Sequence, residues 1–218
     1  MKLVIWDVDG TLVDSAEMIL RSMALGMAEA GLPELPPRQV GSIVGLSLPV
    51  AVATLLPEAD ETTREAVVSG YRRSYQQDRS RQESPLFPGA RDCLDRLARR
   101  DDLLMALATG KSQRGLTALI AAHDLGGYFV ATHCADGHPS KPAPGMVLAC
   151  LSDSGVRPDA AVMVGDTTWD ITMARNAGIA ALGVSWGHHT PAELLDAGAS
   201  AVARDFPELT RLIEEWAA

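Results

Sequence analysis

Cysteine is scarce in this 218-residue chain: Cys93, Cys134 and Cys150 are three, an odd number at wide spacing. That pattern fits neither a disulfide framework nor a C-x-x-C zinc site, and it leaves buried free thiols in a reducing compartment as the expectation. Positive charge is in the minority too, with 19 Lys and Arg against 28 Asp and Glu and a net charge of −9. Nucleic acid and anionic membranes both reward excess Lys and Arg, so neither is expected as a main partner. No run approaches the roughly 18 apolar residues of a membrane span, and the apolar stretch before Asp7 is far short of a signal peptide's. A cytoplasmic protein is the expectation. Internal repeats and low-complexity tracts are missing as well, and nothing in the sequence speaks to oligomeric state. What remains is ordinary globular usage, 47% hydrophobic and 22% charged, in a chain long enough to bury roughly 70% of its unfolded surface.

The apolar residues are arranged in a rhythm. "LVIW" (3–6), "LLMALA" (103–108), "YFVATHC" (128–134), "AAVMVG" (160–165), "IAALGVSW" (179–186) and "ASAVAR" (199–204) have strand length, with turn residues close by. Between the later ones, amphipathic segments predict helices near 113–123, 143–154, 168–177, 191–197 and 207–217. Repeated βα units imply an α/β fold, a doubly wound, Rossmann-like parallel sheet with helices on both faces. "TPAE" marks one helix start clearly: Thr190 as N-cap, Pro191 at the first helical position and Glu193 at the capping-box position.

Residues 14–87 break the rhythm. Apolar residues at 16, 19, 20, 23, 27 and 30 make a helical stripe, with Asp14 or Ser15 as cap and Gly31 and Pro33 as stop. Further helix-like sequence follows near 36–43, 47–56 and 61–79. A structureless connection of about 70 residues is not expected in a compact domain. The division predicted is an α/β core of 1–13 and 88–218, with a helical cap subdomain of 14–87 inserted after the first strand.

In open parallel sheets, ligands bind beyond the carboxyl ends of the strands. Asp7 and Asp9 follow the first run and Thr109 follows the second. Lys141 lies in the loop beyond the third, and Asp166 and Asp170 follow the fourth. Carboxylates gathered at one edge repel unless a cation joins them. Oxygen ligands without matching His or Cys suit a hard ion, and Mg²⁺ commonly takes one or two carboxylates, waters and a substrate phosphate. With Lys141 and Thr109 as donors, the set looks built to hold a phosphoryl group. Asp7 is then the candidate nucleophile on phosphorus. Asp9, brought back over the site by a turn at Gly10, is the candidate acid and base.

"DVDGT", "ATGK", "SKPAP" and "GDTTWDI", in that order and each beyond a strand, resemble the motifs of the haloacid dehalogenase-like hydrolase superfamily along the whole chain. "DVDGTLVDS" followed by a helical insert is most similar to its phosphoglycolate phosphatase-like branch. The resemblance implies Asp7 as nucleophile and Mg²⁺ ligand, and Asp9 as acid/base that also ligates Mg²⁺ through its carbonyl. It implies that Thr109 and Lys141 orient the phosphoryl group, that Asp166 binds Mg²⁺, and that Asp170 supports the ion directly or through water. Backbone amides of Val8, Asp9 and Gly110 would add phosphate contacts. The implied activity is Mg²⁺-dependent hydrolysis of a small phosphorylated metabolite, phosphoglycolate being one candidate, through an aspartyl phosphate. A sugar phosphomutase would share this motif set. A non-catalytic binding module would be expected to lack one of these residues, as would a dehalogenase, which lacks the acid/base aspartate.

The remaining polar features have plainer readings. "TGKS" (109–112) lacks the first glycine of a phosphate-binding loop, since position 105 is Met. Arg72, Arg73, Arg79 and Arg81 read as a solvated helix face, His138, His188 and His189 as loop residues, and Trp169 as core packing.

Overall fold

A computed structural model describes residues 1–81 and 83–218. Six strands form one parallel sheet: β1 (Lys2–Trp6), β2 (Leu103–Thr109), β3 (Ala131–Cys134), β4 (Ala161–Gly165), β5 (Ala180–Val184) and β6 (Ala201–Ala203). Their order is β3-β2-β1-β4-β5-β6, so the winding reverses at β1, which pairs with β2 on one side and β4 on the other. The alternating βα pattern is therefore realised as a doubly wound α/β sheet. The two edge strands are shorter than their apolar runs. Tyr128 and Phe129 are held in a turn, with Tyr128 N–H donating to the Leu125 carbonyl, and pack on the core instead of pairing.

Alternation along each strand builds two cores. Val4, Trp6, Leu107, Val162 and Val164 face one layer, covered by helices α5 (Ala90–Leu97), α6 (Gln113–Ala122) and α10 (Phe206–Ala217). Leu3, Ile5, Ala106, Ala108 and Met163 face the other, under α7 (Gly145–Ser154), α8 (Thr168–Asn176) and α9 (Pro191–Ala197). Strands buried on both faces read as continuous apolar runs, which is why they were visible in the sequence. All three cysteines are buried and free, and Thr190 and Glu193 form the expected capping box on α9.

Helices α1 (Ala16–Glu29), α2 (Pro37–Gly41), α3 (Leu48–Leu55) and α4 (Glu61–Arg81) lie between β1 and α5. They enclose a third core around Ile19, Met23, Val52 and Val67. Gly26 and Gly70 let α1 and α4 meet backbone to backbone: a Cβ on Gly26 would lie 2.7 Å from the Val67 carbonyl oxygen, and one on Gly70 would lie 2.8 Å from Gly26 Cα. Residue 82 of the predicted 14–87 segment lies outside the described residues. Among the described residues, no helix is long and apolar enough to cross a membrane.

Candidate active site

The sheet's winding reverses at β1, and the polar residues gather beyond its carboxyl end. Asp7 continues β1, its N–H donating to the Val164 carbonyl at 2.9 Å. The chain then turns tightly, with the amides of Thr11, Leu12 and Val13 all directed at the Val8 carbonyl. Gly10 makes that turn possible: its φ is +80°, and a side chain there would overlap the Asp166 carboxylate. Asp166 follows β4. Its Oδ1 accepts from the Thr11 hydroxyl at 2.8 Å and its Oδ2 from the His188 N–H at 2.9 Å. Asp170, one turn into α8, accepts from Thr167 N–H at 3.1 Å and Thr167 Oγ1 at 2.7 Å.

Lys141 is wholly buried among these carboxylates. Its Nζ donates to Asp170 Oδ1 at 2.6 Å and sits 2.8 Å from Asp7 Oδ1 as an ion pair outside hydrogen-bonding alignment. Neither Asp7 oxygen has a hydrogen-bonding partner among the described residues. Burial pushes the Asp7 carboxyl up to about 7; Lys141 opposes the rise and Asp170 adds to it. Asp166 is raised well above its ordinary range by burial and then by Asp170 and Asp7. Burial alone would lower Lys141, but Asp170 and Asp7 overcome it and raise the ammonium's pKa.

Oxygens of Asp7, Asp166 and Asp170 lie within 4.8 Å of one another. A buried carboxylate that is ion-paired through Oδ1 and unpartnered at Oδ2, beside two others, is an oxygen-only donor set that fits a hard divalent cation. Asp170 is the most committed of the three, since it accepts three hydrogen bonds, one from Lys141 and two from Thr167, against two for Asp166.

Asp9 stands apart. Its Oδ1 accepts from Ser15 Oγ at 2.6 Å and Lys111 Nζ at 2.6 Å. Ser15, expected as a helix cap, occupies the N-cap position of α1 but spends its hydroxyl on Asp9. Burial would raise Asp9, yet the charge and hydrogen bond of Lys111, with the bond from Ser15, outweigh it and hold the carboxyl below its usual range. Lys111 also donates to the Tyr75 hydroxyl at 2.8 Å, joining α4 to the acid/base candidate. Thr109 is buried at the end of β2. Among the described residues, the N–H groups of Val8, Asp9 and Gly110 donate to no backbone or side-chain acceptor.

All predicted site residues are thus at one edge, Asp7, Thr109, Lys141, Asp166 and Asp170 buried and Asp9 part-buried. Sequence reading missed Lys111, Thr11, Ser15 and Tyr75. Lys111 was in view within "ATGK", but only three-dimensional pairing shows what it holds. The arginines of α4 form the expected solvated face, with Arg72, Arg73 and Arg81 exposed and Arg79 half-buried, and Arg72 and Arg79 have cavity neighbours as well. They line a cavity with Asp7 and Asp9, because α4 turns that side toward the sheet edge, whereas Arg73 on another side of the helix pairs with Glu29. Among the loop histidines, His189 accepts from Thr168 N–H through Nδ1 at 3.1 Å. His138 bonds His133 at 3.0 Å. Trp169 packs against the helical insert and donates to the Ser42 carbonyl at 3.0 Å.

A doubly wound sheet with buried carboxylates and a buried lysine at its switch point defines an α/β enzyme for a charged oxygen-bearing group. The family model described as haloacid dehalogenase-like hydrolase matches residues 4–184. "Probable phosphatase IndB" of Dickeya dadantii is 36% identical, over 95% of this chain and 91% of that protein. A phosphoglycolate phosphatase of Agrobacterium fabrum is 31% identical, over 98% of this chain and 92% of that protein. The crystal structure of a hydrolase from Pseudomonas syringae matches all of both chains at a TM-score of 0.89 and 24% identity, a likeness of fold. The chain belongs to the haloacid dehalogenase-like hydrolases, and within them it is a phosphoric monoester hydrolase.

Proposed function

We propose that the protein is a Mg²⁺-dependent phosphatase that hydrolyses small phosphomonoesters through a phosphoryl group carried on Asp7. The observation that carries this reading is Asp7 itself: a buried carboxylate, without hydrogen-bonding partners, at the switch point beside Lys141 and Asp166. Asp7, Asp166 and the Asp9 carbonyl would hold the ion, with Asp170 in support through its hold on Lys141. Mg²⁺ bound there would offset the carboxylates' repulsion and the charge on the phosphoryl oxygens.

In the first half-reaction Asp7 attacks phosphorus and the P–O bond to the alcohol breaks. Asp9, released from Lys111 so that it can take up a proton from solvent, delivers that proton to the departing oxygen. In the second, Asp9 takes a proton from water as it attacks the phosphoenzyme, and inorganic phosphate leaves. Lys141, the Thr109 hydroxyl and the free N–H groups of Val8, Asp9 and Gly110 orient the phosphoryl oxygens. Helices α1–α4 act as a cap that limits bulk water at the site. Phosphoglycolate is the particular substrate favoured by the curated relatives' names.

The test is phosphate release from an aryl phosphate with added Mg²⁺. Wild type should turn over and Asp7→Asn should be inactive. An Asp7→Asn protein as fast as wild type would sink the proposal.

A further inference from the structure

The cavity over the carboxylates has a basic side that phosphoryl transfer does not use. It encloses about 520 Å³, drug-sized by the usual range of about 300–1,000 Å³. Ile19, Met23, Val44, Leu46 and Leu48 give it apolar walls. Helix α4 contributes Arg72, Tyr75, Gln76 and Arg79, a spacing that puts them on one helix face. With a rise of ~1.5 Å per residue, the two arginines are about 10 Å apart along the axis with Tyr75 between them. The Tyr75 hydroxyl meets Lys111 at 2.8 Å, and Lys111 meets Asp9 at 2.6 Å. Arg72 and Arg79 therefore flank the place where α4 reaches the reacting groups, and Arg114 of α6 joins them in the lining.

These cations are weakly occupied. Among the described residues, Arg72 and Arg114 make no ion pair or side-chain hydrogen bond. Arg79 lies 3.9 Å from Glu83 and donates to the Arg114 carbonyl at 3.4 Å. Of the acidic groups in that lining, Asp7 and Asp9 belong to the reacting centre and are paired with Lys141 and Lys111, and Asp136 accepts from Gln113 N–H at 2.8 Å. In a chain of net charge −9, three arginines around one cavity create a local anion-attracting field. Guanidinium forks suit carboxylates and phosphates.

We propose that Arg72 and Arg79, with Arg114, bind a second anionic group on the substrate's leaving alcohol. The substrate class is a phosphomonoester whose alcohol carries a carboxylate or phosphate-like anion beyond an apolar spacer. This rests on the phosphatase reading above.

Three matched esters test it: neutral 4-carbamoylphenyl phosphate, 4-carboxyphenyl phosphate and 4-phosphonophenyl phosphate, the last two separating the kinds of anion. Wild type should favour an anionic ester over the amide in kcat/KM by about 10- to 100-fold, the worth of one or two charge-assisted hydrogen bonds. In Arg72→Ala/Arg79→Ala, checked for a native melting transition, the ratio should fall toward one through KM. Arg73→Ala should keep the wild-type ratio. Equal use of all three esters by wild type, or an unchanged ratio in the double variant, overturns the subsite. If wild type hydrolyses none of them, the phosphatase reading has failed and the subsite with it.

Discussion

At the scale of single residues, the two aspartates of "DVDG" have opposite surroundings. Asp7 is raised by burial among like charges, while Asp9 is held ionised by Lys111 and Ser15. A base that must also serve as an acid needs partners it can leave, and a mobile ammonium on a long side chain is such a partner. Lys111→Met should lower kcat on the order of 10- to 100-fold by misplacing Asp9, with KM changed much less. Lys111→Arg should restore part of it, whereas equal losses in both variants, or none, would argue against positioning. The motif residues were readable because the chemistry needs particular types at strand ends. Lys111 was not, since a lysine in a loop has no signature until Asp9 and Tyr75 are seen on either side of it.

At the scale of elements, close backbone approach sets how the insert packs. Gly26→Val would drive a branched side chain into the α4 backbone at the Val67 carbonyl. A loss of about 1–3 kcal/mol is expected in urea unfolding, although valine alone is no worse than glycine in a helix. Gly110 plays the equivalent part between the insert and β2: a Cβ there would overlap the Gly45 carbonyl. Gly110→Ala should raise KM by displacing the 42–47 segment between α2 and α3, which steady-state kinetics would detect. Helices α6–α10 and strands β1, β2, β4 and β5 were legible as periodic runs. The ends of β3 and β6 were not, because edge strands pair on one side only and their flanking apolar residues pack elsewhere. The orientation of α4 was hidden too, since its arginines look alike until the helix is docked.

Across the whole molecule, metal and proton compete for the same buried carboxylates. Asp7 is raised from 3.8 to about 7 in the fold by burial, and Asp166 is likewise raised well above its ordinary range by burial and its carboxylate neighbours. Between those two values the metal-free folded state holds more protons than the unfolded chain, so its stability falls as pH rises through that window. A divalent cation reverses this by stabilising the ionised forms. The gain in Tm on adding Mg²⁺ to chelator-treated protein should therefore be larger at pH 8 than at pH 5. A gain independent of pH, measured by thermal unfolding, would separate the ion from these carboxylates.

The central claim is a phosphoryl group on Asp7, and rapid acid quenching of Asp9→Asn tests it most directly. An aryl phosphate labelled with ³²P needs little acid help to leave, while the variant lacks the base for the second step, so label should accumulate on the peptide containing Asp7. Turnover with no protein-bound label, or label on another residue, would contradict the account.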